Sequence, residues 1–378
     1  MSIRKDTIGI MLVIIIVIFS AFGFSSRVEK QIQTEDEFPA SYETGLVVDQ
    51  QLFHQEGDFS YDYQNVLIKI LSGQYKGEYV SVENHLAEND VYSIEVENDD
   101  KVVLMIQEYD NERDIYITDF SREGIIKVLV FAFLAILILI GKTKGFKSVM
   151  TITLTVVLIF KVLLPAILIG WNPLLTTIVI ATVITLLTIT AIAGFHKKSF
   201  AAILGTIIGV IIAGVISITV AKMIKLTGLS SEEAVMLMYL PQDISLNFQN
   251  LLFSGILLGA LGAVMDVAMS IASSIQEIYN ANNDMSAYDL FQSGMEVGKD
   301  MMGTMSNTLI LAYTGSFIPL MLLFMAHSTP YTKLVNMDIV ATEIVRSLSG
   351  SIGLILTIPI TATIAVALAK NSLTKKVD

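Results

Sequence analysis

The sequence of 378 residues contains no cysteine, one tryptophan and four histidines. Without cysteine there are no disulfide bonds, no thiolate nucleophiles and no metal sites built on sulfur. The histidines are scattered, so we expect neither a metal site nor another cofactor. Enzyme motifs such as HExxH or a glycine-rich phosphate loop ending in lysine are also missing. The sequence therefore predicts a protein that is not an enzyme.

Charged residues are scarce as well. They make up 16% of the chain, whereas a soluble protein has about 25%. Hydrophobic residues make up 53%, and the mean hydropathy is +0.65. These values predict a protein that crosses the lipid bilayer several times. The net charge of −12 arises in one segment, because residues 25–122 hold 22 of the 36 acidic residues and 7 of the 24 basic ones. Nothing in this distribution indicates nucleic-acid binding.

The N-terminus carries a short basic start followed by an apolar run. Arg4 and Lys5 precede Ile8–Phe24, which is long for the apolar region of a signal peptide, about 7–15 residues. The small residues after it form a poor cleavage site. We predict a retained transmembrane anchor over residues 1–25, with cleavage as the alternative.

Residues 26–122 differ completely from what precedes and follows them. Short runs rich in valine, isoleucine and tyrosine alternate there with turn-forming residues, as in a small barrel or sandwich. We predict an acidic all-β domain, OB- or SH3-like, on the extracytoplasmic side. Its predicted strands are Glu43–Asp49, Asn65–Leu71, Gly77–Val82, Tyr92–Val96, Val102–Gln107 and Asp114–Thr118.

Residues 123–370 are predicted to form a transmembrane core of seven helices, followed by a cytoplasmic tail over residues 371–378. With the anchor, the chain is an α-helical polytopic membrane protein with about eight transmembrane helices. Lysines concentrate in the segments that this count places inside, so both termini are expected in the cytoplasm of a bacterial cell, at its plasma membrane. The spans of the core are 124–141, 148–169, 173–194, 199–223, 249–278, 303–326 and 348–369.

The stretch Leu251–Asn280 is the most informative part of the sequence. It is apolar enough to span a bilayer, yet Asp266 lies in its middle. A carboxylate at mid-membrane costs at least about 2.5–3.5 kcal/mol on insertion scales, and it indicates a functional site. Small and polar residues recur there at steps of three or four, which places them on one helix face: Gly255, Gly259, Gly262, Asp266, Ser270, Ser273 and Glu277.

Lys161 lies midway along the span 148–169 and needs a carboxylate partner at that depth. We expect this partner to be Asp266. Two interpretations of the pair are open. It would be a static ion pair that fixes helix register, or it would be an ion or proton site that Lys161 occupies when Asp266 is unliganded.

The span 303–326 and the segment before it carry a second polar face. Asp300 and Asn307 point the same way, and Glu277 of the preceding span lies at a similar inner level. We predict that these residues and Ser270 line a path from the cytoplasm to Asp266. The alternative is ordinary hydrogen bonding between helices, which contributes about 0.6 kcal/mol per contact.

Two glycine pairs have a simpler interpretation. Gly205-x-x-x-Gly209 and Gly255-x-x-x-Gly259 are patterns that let helices approach closely, so we predict packing roles for them.

Two intramembrane aspartates also occur in presenilin-like proteases. The Gly-x-Gly-Asp sequence of that family is missing here, which disfavours a protease.

Several stretches resemble a known family. The run from Gly259 to Ser274, GALGAVMDVAMSIASS, resembles the hallmark of the YibE/F-like family of bacterial membrane proteins. Phe160–Pro165, Gly298–Gly315 and Gly350–Thr361 resemble it as well, and the likeness covers roughly residues 25–370. The resemblance implies an uncharacterised multi-spanning protein, sometimes supposed to be a permease.

Two functions from different classes are compatible with these patterns. The first is a transporter in which Asp266 binds a cation or proton for the movement of a small solute or ion. The second is a membrane-anchored scaffold or sensor that works through its external β-domain, where a partner protein or a second copy of the chain would bind. In the second case the polar core would be purely structural.

Overall fold

The computed structural model describes residues 5–32, 40–55, 61–86, 93–109, 112–239 and 246–370. The chain forms two compact units. One is Gln33–Leu139, and the other combines Met1–Ile32 with Ile140–Asp378. The first contains the β-strands, and each unit has a hydrophobic core of its own.

The β-strands form one antiparallel sheet with the order β3-β2-β1-β4-β5. Strand β1 pairs through its first part with β4 and through its later part with β2, with a register shift between Val47 and Asp49. The edge strands β3 and β5 approach each other, so the sheet curls around its apolar face. The prediction of a small β-domain is confirmed. The strands are β1 (Ala40–Gln55), β2 (Tyr61–Ile70), β3 (Tyr79–Leu86), β4 (Lys101–Tyr109) and β5 (Glu112–Phe120).

The predicted strand Tyr92–Val96 is wrong, because its described residues, 93–96, lie outside the sheet ladder. Side chains hold this segment instead. The buried Gln64 donates from Nε2 to the Val96 carbonyl (2.9 Å) and accepts from the Val96 N–H (3.0 Å). Asn84 Nδ2 donates to the Ile94 carbonyl (2.7 Å). These amides satisfy backbone groups that a neighbouring strand would otherwise satisfy.

Most of the remaining described residues are helical. Among them, seven helical stretches are long and apolar enough to cross a membrane. One of these covers Glu123–Leu168, where two separate spans were predicted, and its backbone leaves helical geometry at Lys142 (φ 50°, ψ −123°). The helices are α1 (Lys5–Ile32), α2 (Glu123–Leu158), α3 (Leu164–Leu168), α4 (Pro173–Ala193), α5 (Lys197–Met223), α6 (Glu232–Met236), α7 (Phe248–Ala281), α8 (Ala287–Ala326), α9 (Tyr331–Asn336) and α10 (Asp338–Lys370).

A π-helical turn, Ile159–Leu163, joins α2 to α3. Proline has no backbone N–H, so Pro165 cannot donate the α-helical bond to the Lys161 carbonyl. Just before the proline, the Leu164 N–H donates to the Ile159 carbonyl, five residues back, which is the hydrogen bond of a π-helix. Pro319 and Pro359, by contrast, lie inside helices α8 and α10, which continue past them.

Helices α5, α7 and α10 pack together at the centre of the helical unit. Small residues allow this approach. A Cβ on Gly205 would lie 2.9 Å from the Thr361 Cβ, and one on Gly209 would lie 3.1 Å from the Thr357 Cβ. The packing role predicted for Gly205 and Gly209 is therefore confirmed.

Helix α1 belongs to this unit rather than standing apart from it. One side of the helix is buried, including Ile10, Ile14, Ala21 and Val28, while leucine, isoleucine and phenylalanine side chains on its other side are exposed. Ile10 and Ile14 join the main apolar core of the helical unit.

The segments that connect the long helices are partly helical. Helix α6 begins after Ser231, whose hydroxyl accepts from the Ala234 N–H (3.2 Å) as the capped-helix pattern predicts. Helix α8 starts at Ala287 and runs without a break into the predicted span. Helix α10 starts at Asp338, ten residues before the predicted span, and so includes Glu343 and Arg346.

Candidate functional site

Helix α7 has the two faces that the sequence predicts. Asn247 caps its start by accepting from the Asn250 N–H (2.9 Å). The apolar face, with Leu257, Leu261 and Val264, is buried in the bundle. The face of small and polar residues is open, since Gly255, Gly259, Gly262, Asp266 and Glu277 are exposed and Ser270 and Ser273 are half-buried.

Asp266 lies near the middle of α7, 18 residues after Phe248 and 15 before Ala281. At about 1.5 Å per residue, it is more than about 20 Å from either helix end. Among the described residues, no basic side chain comes within 4 Å of its carboxylate and no hydrogen bond to it is formed.

A cleft of about 310 Å³ opens beside this position. Gly262 and Met265, which precede Asp266 on α7, form one wall. Thr155 of α2 and Thr188 of α4 contribute hydroxyl groups to the others. The Thr188 hydroxyl is buried and has no hydrogen-bond partner among the described residues. The cleft thus brings one unpaired hydroxyl group, that of Thr188, close to the part of α7 that carries Asp266.

The predicted contact between Lys161 and Asp266 is wrong. The Lys161 ammonium lies 3.1 Å from Oε1 of Glu29, near the end of α1. Ser25 donates to the same oxygen (2.8 Å), and the Phe22 ring lies 5.8 Å from the ammonium. The long lysine side chain extends along α1, which the sequence assigned to a separate anchor. Lys161 therefore forms its ion pair with Glu29 and not with Asp266.

Helix α8 runs antiparallel to α7. A Cβ on Gly259 would collide with the Tyr313 hydroxyl, and one on Gly298 would lie 3.3 Å from Ile271 Cδ1. This register puts Asp300 at the depth of Ser270 and puts Asp266 about one turn away from that level. Asp300 and Asn307 are exposed, and neither hydrogen-bonds to α7 through its side chain within the described part of the chain.

Glu277 lies near the C-terminal end of α7. Its carboxylate is 3.9 Å from the Lys198 ammonium of α5, and its side chain is 71% exposed. An exposed pair at this distance contributes little, about 0–1 kcal/mol. The structure thus places Glu277, Ser270 and Asp266 on one side of α7 and places Asp300 and Asn307 on an open side of α8. Lys161 is separate from them.

The sequence did not point to a second polar cluster, which lies near the N-terminal end of α10. Glu343 and Arg346 form an ion pair (2.8 Å) with side chains only 20% and 29% exposed. The Tyr313 hydroxyl of α8 is buried without a hydrogen-bond partner among the described residues. The signal was present as an acid and a base three residues apart ahead of an apolar span, but both residues lay outside the predicted span 348–369.

The described residues contain no group of three or more histidine, aspartate or glutamate side chains placed to hold a metal ion. The acidic residues of the site, Asp266, Asp300 and Glu277, are spread along two helices. Any cation bound at Asp266 would therefore be held by this carboxylate together with neutral oxygens.

Two sequence profiles of known families match the chain. The profile described as YibE/F-like protein matches residues 129–371, and the profile of the YibE/F family N-terminal domain matches residues 49–120. No curated protein matches the chain significantly. No solved structure does either.

Proposed function

The chain belongs to the YibE/F-like family, and on that premise we propose that it is a membrane transporter that binds a cation or proton at Asp266. The observation that supports this proposal is a mid-helix carboxylate on an open face, without a counter-charge among the described residues. An unpaired carboxylate at such depth must be neutralised, and a proton or a cation can do this.

The surroundings of Asp266 are suited to reversible binding. Gly262 leaves the space beside the carboxylate open, since a Cβ there would meet nothing within 4 Å. Ser270 lies one turn further along the same face of α7. Further polar side chains on α7 and α8 are those of Glu277, Asp300 and Asn307. In this proposal they line the cytoplasmic approach, along which an ion exchanges water for protein oxygens.

The proposal includes eight membrane crossings. As a single helix, the 46 residues of Glu123–Leu168 would extend about 69 Å, more than twice the hydrocarbon thickness of about 30 Å. The non-helical backbone at Lys142 divides them into two spans. Eight crossings put both termini in the cytoplasm of a bacterial cell and the β-domain outside. The concentration of lysines in the inner segments supports this orientation.

We also propose that the β-domain is an OB-like barrel, closed where β3 meets β5. Its strand order and the approach of its two edges support this assignment. A groove of about 500 Å³ lies at that closure, between β3 and β5.

Ion flux tests the transport proposal. The full-length protein is reconstituted in liposomes that contain a fluorescent indicator for the ion tested, and gradients of H⁺, Na⁺, K⁺ and Mg²⁺ are applied in turn. We expect flux of one of these ions in the parent and flux at the level of empty liposomes in Asp266→Asn. Glu296→Gln is the matched control, because Glu296 is an exposed carboxylate on α8 that pairs with Lys299. Parental flux in folded Asp266→Asn contradicts the proposal.

The second candidate is a scaffold or sensor that acts through the β-domain and has no enzymatic activity. The separate hydrophobic core of the β-unit favours it, because such a unit can present a binding surface by itself. Deletion of residues 30–120 distinguishes the two functions. A transporter core retains its flux after the deletion, whereas a sensor loses its partner.

A further inference from the structure

Two cavities meet at Glu343, near the outer end of α10. One, of about 300 Å³, lies between α8, α9 and α10, and the other, of about 450 Å³, extends toward α6 and the start of α7. Arg346 lines the second cavity and Tyr313 the first. The volumes are in the range of small-molecule sites, about 300–1,000 Å³. An ion pair therefore lies at the junction of two spaces large enough for a ligand.

The polar groups at this junction are only partly used. Glu343 accepts from Arg346 Nη1 through Oε1 (2.8 Å). The other carboxylate oxygen, Oε2, the Arg346 Nε–H and the Tyr313 hydroxyl are shielded from solvent and have no partner among the described residues. Each such group costs about 1–3 kcal/mol if it stays unpaired. The two partners of this ion pair thus carry one free acceptor, on Glu343, and one free donor, on Arg346.

A ligand that satisfies both groups has a donor and an acceptor on neighbouring atoms. An ammonium group matches Glu343 Oε2, and a carboxylate matches the Arg346 Nε–H. Glu343 lines both cavities, so a small change in the last torsion of its side chain, which is broad and weakly restricted, brings a carboxylate oxygen to the cavity surface. An ammonium and a carboxylate on one carbon atom make an α-amino acid zwitterion.

The wall of the smaller cavity determines the rest of the ligand. Phe317, Met321, Tyr331 and Leu334 line it, so it favours an apolar or aromatic body. We propose that the cavities joined at Glu343 form a binding site for zwitterionic α-amino acids with apolar side chains. Glu343 binds the ammonium group, Arg346 binds the carboxylate and the apolar wall holds the side chain.

A purely structural ion pair does not need this arrangement. Glu296 and Lys299 of α8 form an ion pair with the same spacing of three residues, and their side chains are 67% and 56% exposed. Water completes the hydrogen bonds of such a pair. The Glu343–Arg346 pair is instead shielded, has two unused atoms and borders two cavities.

A ligand series on the parent protein tests the proposal without any mutation. Isothermal titration calorimetry on the full-length protein in nanodiscs compares L-phenylalanine, 2-phenylethylamine, 3-phenylpropanoate and L-alanine. We expect saturable binding of L-phenylalanine and at least about tenfold weaker binding of the other three, because each leaves one part of the site unpaired or unfilled. Equal binding of the amine or the acid overturns the zwitterion assignment, and no saturable binding of L-phenylalanine overturns the site.

Two variants locate the binding. Glu343→Gln keeps the shape of the side chain and removes its charge, so it weakens L-phenylalanine binding at least about tenfold. Glu296→Gln, the matched change in the exposed pair, leaves binding unchanged. Parental affinity in Glu343→Gln overturns the location. If this variant fails to fold, the ligand series on the parent protein still tests the proposal. Binding is measured without an ion gradient, so failure here does not bear on flux through Asp266.

Discussion

The Lys161 ammonium lies 3.1 Å from the Glu29 carboxylate, and this contact joins the π-helical turn before α3 to helix α1. It has two consequences. The first helix is held in the bundle by a polar contact in addition to its buried face. Asp266 has no counter-charge among the described residues, which supports the proposed binding of a proton or cation there.

The ion pair is tested by a double-mutant cycle. Lys161→Met and Glu29→Gln should each lower the melting temperature in detergent only slightly, since the side chains are 35% and 57% exposed and water screens them. The double variant should lose less than the sum of the two. In the parallel cycle, the losses of stability caused by Lys161→Met and Asp266→Asn should be additive. Coupling to Asp266 without coupling to Glu29 would contradict the contact.

Glycine packing between α5 and α10 leads to a second prediction. Gly205→Ala should lower the free energy of unfolding by about 1–3 kcal/mol, because the new methyl group meets Thr361 at its Cβ and backbone. Gly303→Ala on α8 is the matched control, since a Cβ there meets nothing within 4 Å. It should be neutral or stabilising by up to about 1 kcal/mol. Equal melting temperatures for the two variants would rule out close approach at Gly205.

The Gln64 side chain is expected to hold residues 93–97 against the sheet. Gln64→Leu leaves the Val96 N–H and carbonyl unpaired in a buried place, at about 1–3 kcal/mol for each group. Hydrogen–deuterium exchange should therefore accelerate at this segment in the full-length protein. Gln51→Leu, on an exposed position of β1, should leave the exchange unchanged. Unchanged protection in Gln64→Leu would show that other contacts hold the segment.

A pH-dependent prediction concerns the end of β5. The Arg122 side chain, which donates to Asp119 (2.6 Å), and the Phe120 N–H lower the pKa of Asp119. A lowered pKa in the folded state stabilises the domain above the unfolded pKa of about 3.9, and this stabilisation is lost as pH falls through the folded value. Arg122→Gln should thus lower the melting temperature of the β-unit at pH 7 and have no effect below about pH 2. A shift that is equal at both pH values would contradict this origin.

Local patterns were sufficient to predict much of this fold. Helix α7 is a good example: its apolar and polar residues alternate with helical spacing, and the structure buries the first set and opens the second. The β-domain was recognisable from another local pattern, the short runs of valine, isoleucine and tyrosine separated by turn-forming residues. The segment 93–96 was mispredicted because an extended run held by a side-chain amide has the same composition as a strand.

Long-range contacts were beyond sequence reasoning. Lys161 and Glu29 are 132 residues apart, and both the assignment of α1 to a separate anchor and the comparison of depths favoured Asp266 instead. Glu343 and Arg346 were missed because the predicted span started at residue 348, so both residues lay outside the predicted membrane spans. Helix α10 includes both residues, and both line a cavity.

Site-specific carbodiimide labelling tests the central claim most directly. Carbodiimides modify a carboxylic acid in its protonated form when it is shielded from bulk water, and mass spectrometry of the protein in nanodiscs identifies the modified residue. We predict labelling at Asp266 that falls as pH rises and falls further when the ion found in the flux assay is added, with no labelling of exposed Glu296. Absence of label at Asp266 at every pH, or labelling that neither pH nor the ion changes, would contradict the claim that this carboxylate binds a proton or cation.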